Sequence, residues 1–415
     1  MNGNFIRLSL FLMRKIGPAP LNHELTDNPG WAVCLRNSRR VVIKLGTRVV
    51  TGQDGTSRDL KHLVSSIARL VEQGRQVTLV SSGAVGLGAR HLAVAPIRTR
   101  DLAMRQACAA VGQSLLMQLY ERLFARYGVT VAQVLVTEDD FRNRIRYLNL
   151  RRTFEKLLKL GVLPIVNEND TVSTVELEYK EESSGRAFSD NDRLAALVMS
   201  KLEADALLLL TNVEGLLSHG RVQAGSSPSF EVVSLVRKVT PEIRALATAS
   251  FTQGGRGGMS TKIQAAEIAM NAGRVAVIAS GKVKGVVDRI FAGEAVGTVF
   301  FPESLHSTRM NGKRRWLAYA ADVRGLLTVN EGARKAIVDG KASLLASGVV
   351  RIERAFESSD IVSISDSLGK EFARGVVNLS SDELEALIKT GAHLAPVLVT
   401  RNNILVLQTN DSNIN

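Results

Sequence analysis

A glycine-rich stretch, GGRGGMSTK at residues 254–262, has residue types that could bind the phosphate groups of a nucleotide. Glycines directly before a helix present backbone N–H groups to an anion, and the positive end of the helix dipole adds to the attraction. A Walker A loop, G-x-x-x-x-G-K-[ST], has its lysine before the hydroxyl residue. Here Ser260 and Thr261 precede Lys262, and no Walker A loop occurs in the chain. The alternative is a mobile surface loop with an ordinary lysine.

Further polar residues lie within or directly after apolar runs that predict strands. Lys44 lies inside VVIKLG, where a charge is costly unless it is paired or reaches water at a sheet edge. The other groups are Ser81-Ser82-Gly83, Asn167-Glu168-Asn169-Asp170 and Thr211-Asn212. Ligands of parallel α/β sheets bind where strands end and helices begin. The sequence therefore predicts an active site at this edge.

Some of these groups also have plain structural explanations. SDND at 189–192 precedes an apolar helical period, and such residues commonly cap helices, so Asp190 or Ser189 could do only that. Ser82 and Gly83 are equally typical of a structural turn. The basic run at positions 142, 144, 146, 151 and 152 is interpreted as a solvated helix face.

The surrounding pattern predicts the α/β class, with a mostly parallel open sheet between two layers of helices. Between residues 41 and 280, short continuous apolar runs alternate with longer amphipathic periods. Within this pattern, residues 76–88 predict a strand followed by a glycine-rich turn. Residues 102–128 predict a long helix with a candidate break at Gly112.

Changes in this pattern divide the chain into three predicted segments. Residues 1–38 are predicted to be a disordered or unassigned extension, and residues 39–300 an α/β domain. After Gly312, short alternating strands with closely spaced turn residues predict a small β-rich domain at 313–395. No run of 18 apolar residues occurs, so no membrane helix is predicted.

Composition narrows the class of protein. Among 415 residues, 45% are hydrophobic and 22% charged, which is typical of a globular chain that forms a core. Two cysteines, Cys34 and Cys108, cannot form a disulfide framework, and six scattered histidines predict no metal site. A reducing cytoplasm is therefore expected. The net charge of +13 suits small anionic substrates as well as a polyanion.

Seven blocks together carry a resemblance to a known family. They are VVIKLGTRVV, VSSGAVGLG, RQACAAVGQSLLMQLY, PIVNENDTV, SDNDRLAALV, LLLLTNVEGL and GGMSTKIQAAEIA, in this order. They resemble the glutamate 5-kinase family of the amino acid kinase superfamily, and residues 313–395 look like its C-terminal PUA domain.

The resemblance implies transfer of the ATP γ-phosphate to the side-chain carboxylate of L-glutamate, the first step of proline biosynthesis. It implies that Lys44 and Lys262 flank the transferring group and that Asp192 holds both lysines. It implies glutamate binding by Ser82, Asp170 and Asn191, with Mg²⁺ bridging the phosphates. The implied ATP site consists of Lys44, Thr211, Asn212, Gly257, Gly258, Met259, Ser260, Thr261 and Lys262. Because a glutamate carboxylate is ionised at neutral pH, no general base is expected.

The resemblance also implies feedback inhibition by proline and a homodimer or homotetramer. The chain departs from the family pattern in three places: Asn212 stands where many relatives carry Asp, Arg48 replaces a small hydroxyl residue, and SHGRVQAGSSPSF lacks the usual Tyr-Thr-x-Asp-Pro. Arg256 likewise stands where a small or polar residue is common.

Two rival functions remain open from the sequence. Kinases of the same superfamily act on acetylglutamate, aspartate or UMP with the same lysine and glycine chemistry. PUA domains bind RNA in some enzymes, but residues 313–395 carry 12 basic against 11 acidic residues, which argues against a strong RNA-binding surface.

Overall fold

The computed structural model of the chain describes residues 30–52, 58–94, 101–172, 191–219, 230–249, 258–302, 317, 323–390 and 396–407. No helix within these ranges is long and apolar enough to cross a membrane. Two of the residues singled out in the glycine-rich stretch, Arg256 and Gly257, lie outside the described ranges, as do Ser189 and Asp190.

The larger domain contains an eight-stranded sheet. Six of its strands are mutually parallel, and they lie in the order β3-β4-β2-β1-β5-β9. Their bounds are β1 Arg40–Leu45, β2 Gln76–Ser81, β3 Val131–Val136, β4 Leu163–Glu168, β5 Ala206–Thr211 and β9 Val275–Ser280. Strands β10 (Thr298–Phe300), antiparallel to β9, and β8 (Leu235–Val236) complete the sheet, and β6 (Leu217–His219) pairs with β7 (Phe230–Val232) outside it.

Helices cover both faces of this sheet, which confirms the predicted α/β class. One face packs against α6 (Glu138–Arg142), α7 (Arg144–Lys159), α8 (Asn191–Leu202), α9 (Pro241–Ala249) and α10 (Met259–Asn271). The other packs against α1 (Gly30–Arg36), α2 (Thr47–Thr51), α3 (Arg58–Glu72), α4 (Ala84–His91), α5 (Leu102–Phe124) and α11 (Val286–Phe291). Because both faces are covered, the central strands are continuously apolar.

Successive side chains of a strand point to opposite faces of the sheet, and this alternation orients Lys44. Val41, Ile43 and Leu45 pack with α3 and α5, whereas Val42 packs with α8 and α10. Lys44 therefore lies on the face covered by α8 and α10. A charge is tolerated at this position because α8 brings the carboxylate of Asp192 to Lys44.

Two predictions on the opposite face were wrong, and both involve glycine. Residues 84–88 form the start of α4 rather than a turn, and α5 continues unbroken through Gly112. A Cβ at Gly88 would lie 1.8 Å from Cys108 O, and one at Gly112 would lie 1.8 Å from Ala84 O. The glycines allow α4 and α5 to cross at backbone contact, so they serve packing instead of ending helices.

The smaller domain is built around a five-stranded sheet in the order β13-β11-β14-β15-β17. Its strands are β11 Gly325–Val329, β13 Val349–Arg354, β14 Ile361–Ser365, β15 Glu371–Val376 and β17 Ile404–Val406, and β12 (Leu344–Leu345) pairs with β16 (Val397–Val399) beside it. The helices α12 (Glu331–Val338) and α13 (Ser381–Thr390) accompany the strands. The predicted small β-rich domain is thus present, and its described strands extend to Val406.

Tyr147 packs against both domains, and the predicted extension contains helix α1. Tyr147 of α7 packs against the core of the larger domain and also against a cluster in the smaller one, formed by Leu317, Ile361 and Leu405. Within the predicted extension 1–38, α1 packs Trp31 and Leu35 into the core; residues 1–29 lie outside the described ranges.

Candidate active site

Two lysines and one aspartate meet in a buried cluster at the carboxyl edge of the sheet. Lys44 Nζ lies 2.6 Å from Asp192 Oδ1, and Lys262 Nζ lies 2.9 Å from Asp192 Oδ2. Asp192 is fully buried, and the lysines are 6% and 5% exposed. Each carboxylate oxygen thus binds a different ammonium group, and the three residues named from the sequence are brought together.

Three elements position this cluster. Lys44 comes from β1, whereas Asp192 and Lys262 each lie in the first turn of a helix, α8 and α10. A helix N-terminus stabilises a carboxylate but destabilises a cation, so Lys262 needs the negative charge of Asp192 beside it. Thr261 fixes the start of α10 by donating a hydrogen bond of 2.9 Å to Gly258 O.

The charge on Asp192 depends on the two lysines. Burial alone raises the pKa of this carboxyl, but the charges of Lys44 and Lys262, with their hydrogen bonds, outweigh burial. The pKa of Asp192 therefore lies below its ordinary value. Two ammonium groups share one carboxylate, so the cluster carries an excess of positive charge suited to an anionic ligand.

A chain of amides and hydroxyls lies next to the cluster. Asn191 Nδ2 donates to Ser82 Oγ at 2.7 Å, to Ser81 O at 3.2 Å and to Asn167 Oδ1 at 3.2 Å. Asn167 Nδ2 in turn donates to Gln113 Oε1 at 2.9 Å. Asn191 and Asp192 are consecutive in α8, so the amide chain leads directly to the lysine cluster. Ser82 and Asn191, predicted as glutamate ligands, are thereby brought together.

The end of β2 is held by a buried phenol. The hydroxyls of Tyr120 and Ser81 share a hydrogen bond of 2.7 Å, and Tyr120 is fully buried. Burial raises the pKa of Tyr120 above its ordinary value, against the smaller effect of the Ser81 hydrogen bond. Tyr120 is therefore a neutral phenol that orients the strand end preceding Ser82.

Asp170, the third predicted glutamate ligand, lies beyond the end of β4 and faces a cation. Arg105 Nη2 lies 3.7 Å from Asp170 Oδ1, and the two side chains are 10% and 19% exposed. Asn167, in the same strand-end segment as Asp170, hydrogen-bonds to both Gln113 and Asn191 of the amide chain. The predicted glutamate residues thus occupy one neighbourhood of the sheet edge.

The predicted ATP residues lie at two places along this edge. Thr211 ends β5, is 7% exposed and donates a hydrogen bond of 3.3 Å to Asn212 Oδ1. Gly258 precedes α10, whose first turn holds Met259, buried, and Ser260, exposed. Ser280 of β9 is the register partner of Thr211, so β5 and β9 end together. Gly257 lies outside the described residues.

The residues present fit a nucleotide with phosphate-bound Mg²⁺. The buried lysine cluster and the start of α10 supply cations and N–H donors for phosphate oxygens. Within the described ranges, no group of three or more His, Cys, Asp or Glu residues could hold a metal ion. Mg²⁺ commonly keeps several waters and binds through substrate phosphates, which the lysines and N–H donors named above could hold.

Sequence reasoning missed two side chains of α5. Arg105 and Gln113 were not named as site residues, although both are buried polar groups in a helix that otherwise packs apolar side chains. The signal was available, since positions 105, 113 and 120 are polar at intervals of eight and seven, which places them on one helix face. The sequence predicts Asn167 at a strand end but assigns it no role.

The buried lysine–aspartate–lysine cluster lies at the carboxyl edge of a parallel sheet, which is where open α/β domains bind their ligands. The family model described as "Amino acid kinase family" matches residues 39–280, which include this cluster, and the model of the PUA domain matches residues 325–401. The chain belongs to the amino acid kinase family.

Whole-chain relatives place it more narrowly, among the glutamate 5-kinases. The glutamate 5-kinase of Myxococcus xanthus (strain DK1622) is 45% identical over 355 residues, covering 85% of this chain and 90% of the relative. The glutamate 5-kinase of Caldanaerobacter subterraneus subsp. tengcongensis is 40% identical over 381 residues, covering 89% of this chain and 98% of the relative. Among solved structures, a carbamate kinase from Giardia lamblia bound to AMP-PNP is 20% identical, with a TM-score of 0.44, over 65% of this chain and 100% of that one.

Proposed function

We propose that this chain transfers the γ-phosphoryl group of ATP to the side-chain carboxylate of L-glutamate, forming L-glutamyl 5-phosphate for proline biosynthesis. The observation that carries the proposal is the buried carboxylate of Asp192 held between Lys44 and Lys262. Phosphoryl transfer to an ionised carboxylate needs alignment and charge neutralisation rather than a base. The relatives named glutamate 5-kinase support glutamate as the acceptor.

The catalytic roles follow from charge and position. Lys44 and Lys262 stabilise the negative charge that spreads over the transferring oxygens, because both ammonium groups are oriented before substrate arrives. Asp192 positions the two lysines and does not touch the phosphoryl group. A water-poor site strengthens these interactions, which is consistent with the burial of all three residues.

Substrate binding is assigned to the two neighbourhoods flanking the cluster. Ser82, Asn191 and Asp170 bind glutamate, since their polar groups lie beside the amide chain. ATP lies against Thr211, Asn212 and the segment 257–262, where the start of α10 presents backbone N–H groups. Mg²⁺ would add positive charge to the ATP phosphates, which Lys44, Lys262 and the start of α10 would hold.

Trapping of the acyl phosphate tests this function. The purified chain is incubated with ATP, Mg²⁺ and hydroxylamine, with L-glutamate, N-acetylglutamate or aspartate as acceptor, and hydroxamate is measured; ADP release is measured with UMP. Hydroxamate is expected with L-glutamate. Product with another acceptor and none with L-glutamate would reject glutamate kinase activity and identify the rival superfamily member.

Proline inhibition, assembly and location form a second part of the proposal, supported by family membership. Proline inhibits the reaction in competition with glutamate, the chain assembles as a dimer or tetramer, and the reaction takes place in the cytoplasm. Rates at millimolar proline with varied glutamate, light scattering and cell fractionation test these points in turn. Indifference to proline at low glutamate would remove the inhibitory role.

The smaller domain offers a second candidate function, RNA binding, which the charge balance disfavours. The family model of the PUA domain is the observation in its favour, and near-neutral charge over residues 313–395 is the observation against it. The full chain is expected to show no salt-dependent retention of RNA at low ionic strength in a filter-binding assay.

A further inference from the structure

Arg105 and Asp170 form a nearly buried pair of opposite charges beside the predicted glutamate residues. Arg105 lies in the first turn of α5 and is 8% exposed, although arginine is rarely this buried unless it is paired. Gln113, two turns further along α5, hydrogen-bonds to Asn167, and Asn167 connects to Asn191. One face of α5 therefore contributes both a cation and an amide to the same edge of the sheet.

The pair combines a long separation with burial. Two other salt bridges of the described chain are similarly long, Arg146–Asp140 at 3.6 Å and Arg334–Asp366 at 3.8 Å, but the side chains of their arginines are 60% and 39% exposed. Arg69 and Asp288, like Arg274 and Asp205, approach to 2.6 Å, the distance of a charge-assisted hydrogen bond. Arg105 Nη2 and Asp170 Oδ1 remain 3.7 Å apart. The two groups are close enough to balance each other's charge, yet they do not close into a short contact. Their separation suits a pair that accepts ligand groups of opposite charge.

We infer that Arg105 binds the α-carboxylate of the amino-acid substrate while Asp170 receives its α-ammonium group. The inference rests on the proposed function, because it assigns the recognition of an L-glutamate zwitterion at that same site. A planar guanidinium binds a carboxylate through two parallel hydrogen bonds, which a lysine or an amide cannot reproduce. Arg105 thereby becomes a specificity-determining residue that selects free α-amino acids over acceptors without an α-carboxylate.

The chemistry of the substrate explains why both charges are needed. The α-groups of an amino acid carry one positive and one negative charge, and a site with only Asp170 would leave the α-carboxylate desolvated beside an acidic side chain. With Arg105 and Asp170 together, each charge of the substrate meets its opposite and the total charge of this part of the site is unchanged. The side-chain carboxylate is then left to face Lys44 and Lys262.

A competing explanation is that Arg105 only holds Asp170 in place. The two explanations differ in their predictions for substrate analogues. Glutarate lacks the α-ammonium group and does not need Asp170, but one of its carboxylates can occupy the place of the α-carboxylate. L-Glutamic acid α-amide keeps the ammonium group and the size of the substrate, but its amide carries no negative charge.

The test compares Arg105→Gln with the wild-type chain on L-glutamate, glutarate and the α-amide. Arg122→Gln is the matched control, since Arg122 is an exposed arginine of the same helix. We expect kcat/KM of Arg105→Gln to fall roughly 10- to 100-fold for L-glutamate and for glutarate, mainly through KM, on the scale of losing a charged hydrogen bond. For the α-amide, kcat/KM of Arg105→Gln is expected to stay within about 3-fold of wild type. The α-amide has no α-carboxylate, so it makes no charged hydrogen bond with Arg105 that the substitution could remove. KM for ATP is expected to be unchanged.

Three outcomes would overturn the inference. An equal loss for the α-amide and L-glutamate, or an unchanged rate with glutarate, would show that Arg105 acts only through Asp170. Unchanged use of L-glutamate would show that it has no role. If an analogue turns over too slowly to time, its inhibition constant against L-glutamate replaces kcat/KM.

The controls separate this inference from the proposed function. A wild-type chain inactive on L-glutamate rejects the proposed function, whereas an active wild type with an indifferent Arg105→Gln rejects only the role of Arg105. Thermal unfolding checks that the variant is folded. If it is not, Arg105→Lys is used, and it should retain part of the L-glutamate affinity because the charge remains without the planar fork.

Discussion

The two ends of α8 bury charge in opposite ways. At the first turn, Asp192 is fully buried and binds Lys44 and Lys262, one at each carboxylate oxygen. At the last turn, Lys201 is 1% exposed, and no described residue accepts a hydrogen bond from its Nζ, which lies over the ring of Tyr147. The same helix thus contains a paired buried charge and an unpaired buried amine.

Pairing decides which group remains charged. The pKa of Asp192 is held below its ordinary value because the two lysines outweigh burial. Burial, with a smaller effect from Arg151, lowers the pKa of Lys201 to about 6, against the opposing effect of Glu155. The carboxylate of Asp192 therefore keeps its charge because it has two partners, whereas the amine of Lys201, with no hydrogen-bond acceptor among the described residues, loses its charge near neutral pH.

The largest expected effect is loss of either lysine at the paired end. Lys44→Ala or Lys262→Ala should lower kcat by roughly 10²–10³, the scale of losing one oriented charge-stabilising donor. Hydroxamate formation from L-glutamate measures it. Lys61→Ala, an exposed lysine of α3, is the control and should leave kcat unchanged. Near-normal turnover in either site variant would defeat the assigned roles.

Removal of the carboxylate should come next and should appear as lost stability. Asp192→Asn leaves two buried cations without their counter-charge, so the free energy of unfolding should fall by about 3–5 kcal/mol. Urea unfolding at pH 7 measures this loss. Asp139→Asn is the control, since Asp139 is an exposed carboxylate of α6. It should change the free energy of unfolding by less than about 0.5 kcal/mol.

The pH dependence of the same variant has a definite sign. The folded pKa of Asp192 is lowered, so its contribution is present above the unfolded pKa of about 4 and is lost as pH falls through the folded pKa. In Asp192→Asn this acid-dependent part of the stability should be absent. If the free energies of unfolding of wild type and Asp192→Asn change in parallel with pH down to pH 3, this prediction is wrong.

The unpaired end should respond in the opposite sense. Lys201→Met should stabilise the chain, most strongly at pH 6 and below, where the wild type must bury a charge. Between pH 6 and about 10.5, Lys201 is protonated in the unfolded chain but not in the folded chain. The free energy of unfolding of the wild type therefore rises with pH, by at most about 1.4 kcal/mol per pH unit. The difference in the free energy of unfolding between Lys201→Met and wild type therefore decreases as pH rises.

Unfolding free energies from pH 6 to pH 9 measure this trend. Lys156→Met replaces an exposed lysine of α7 and should show no such pH dependence relative to wild type. A constant difference between Lys201→Met and wild type across this range would mean that Lys201 is charged in the folded chain.

The smallest expected effect concerns the ring above Lys201. Tyr147→Leu removes an aromatic side chain that contacts both domains, and about 1 kcal/mol of stability should be lost. Tyr147→Phe keeps the ring and serves as the control. Calorimetric unfolding of both variants measures the difference, and equal stability would show that the ring contributes nothing to the contact between domains.

Local patterns were enough for much of the fold and for the central residues of the site. Continuous apolar runs alternating with amphipathic periods predict the α/β class, because a strand covered on both faces has no polar side. A lysine inside such a run, Lys44, requires a partner, and polar residues after successive strands predict a site at their common edge. The resemblance then implies that Asp192 holds both Lys44 and Lys262, and in the structure Asp192 lies 2.6 Å from Lys44 Nζ and 2.9 Å from Lys262 Nζ.

Features that depend on contacts between distant segments required the tertiary structure. Gly88 and Gly112 resemble turn and break signals in sequence, yet they allow α4 and α5 to cross at backbone contact. Lys201 looks like an ordinary cation of a helix end until α7 brings the ring of Tyr147 over it. Arg105 and Asp170 meet only when α5 packs beside the end of β4. Sequence spacing determines which face of an element a residue occupies, but the pKa and the partner of a buried charge depend on the neighbours that packing supplies.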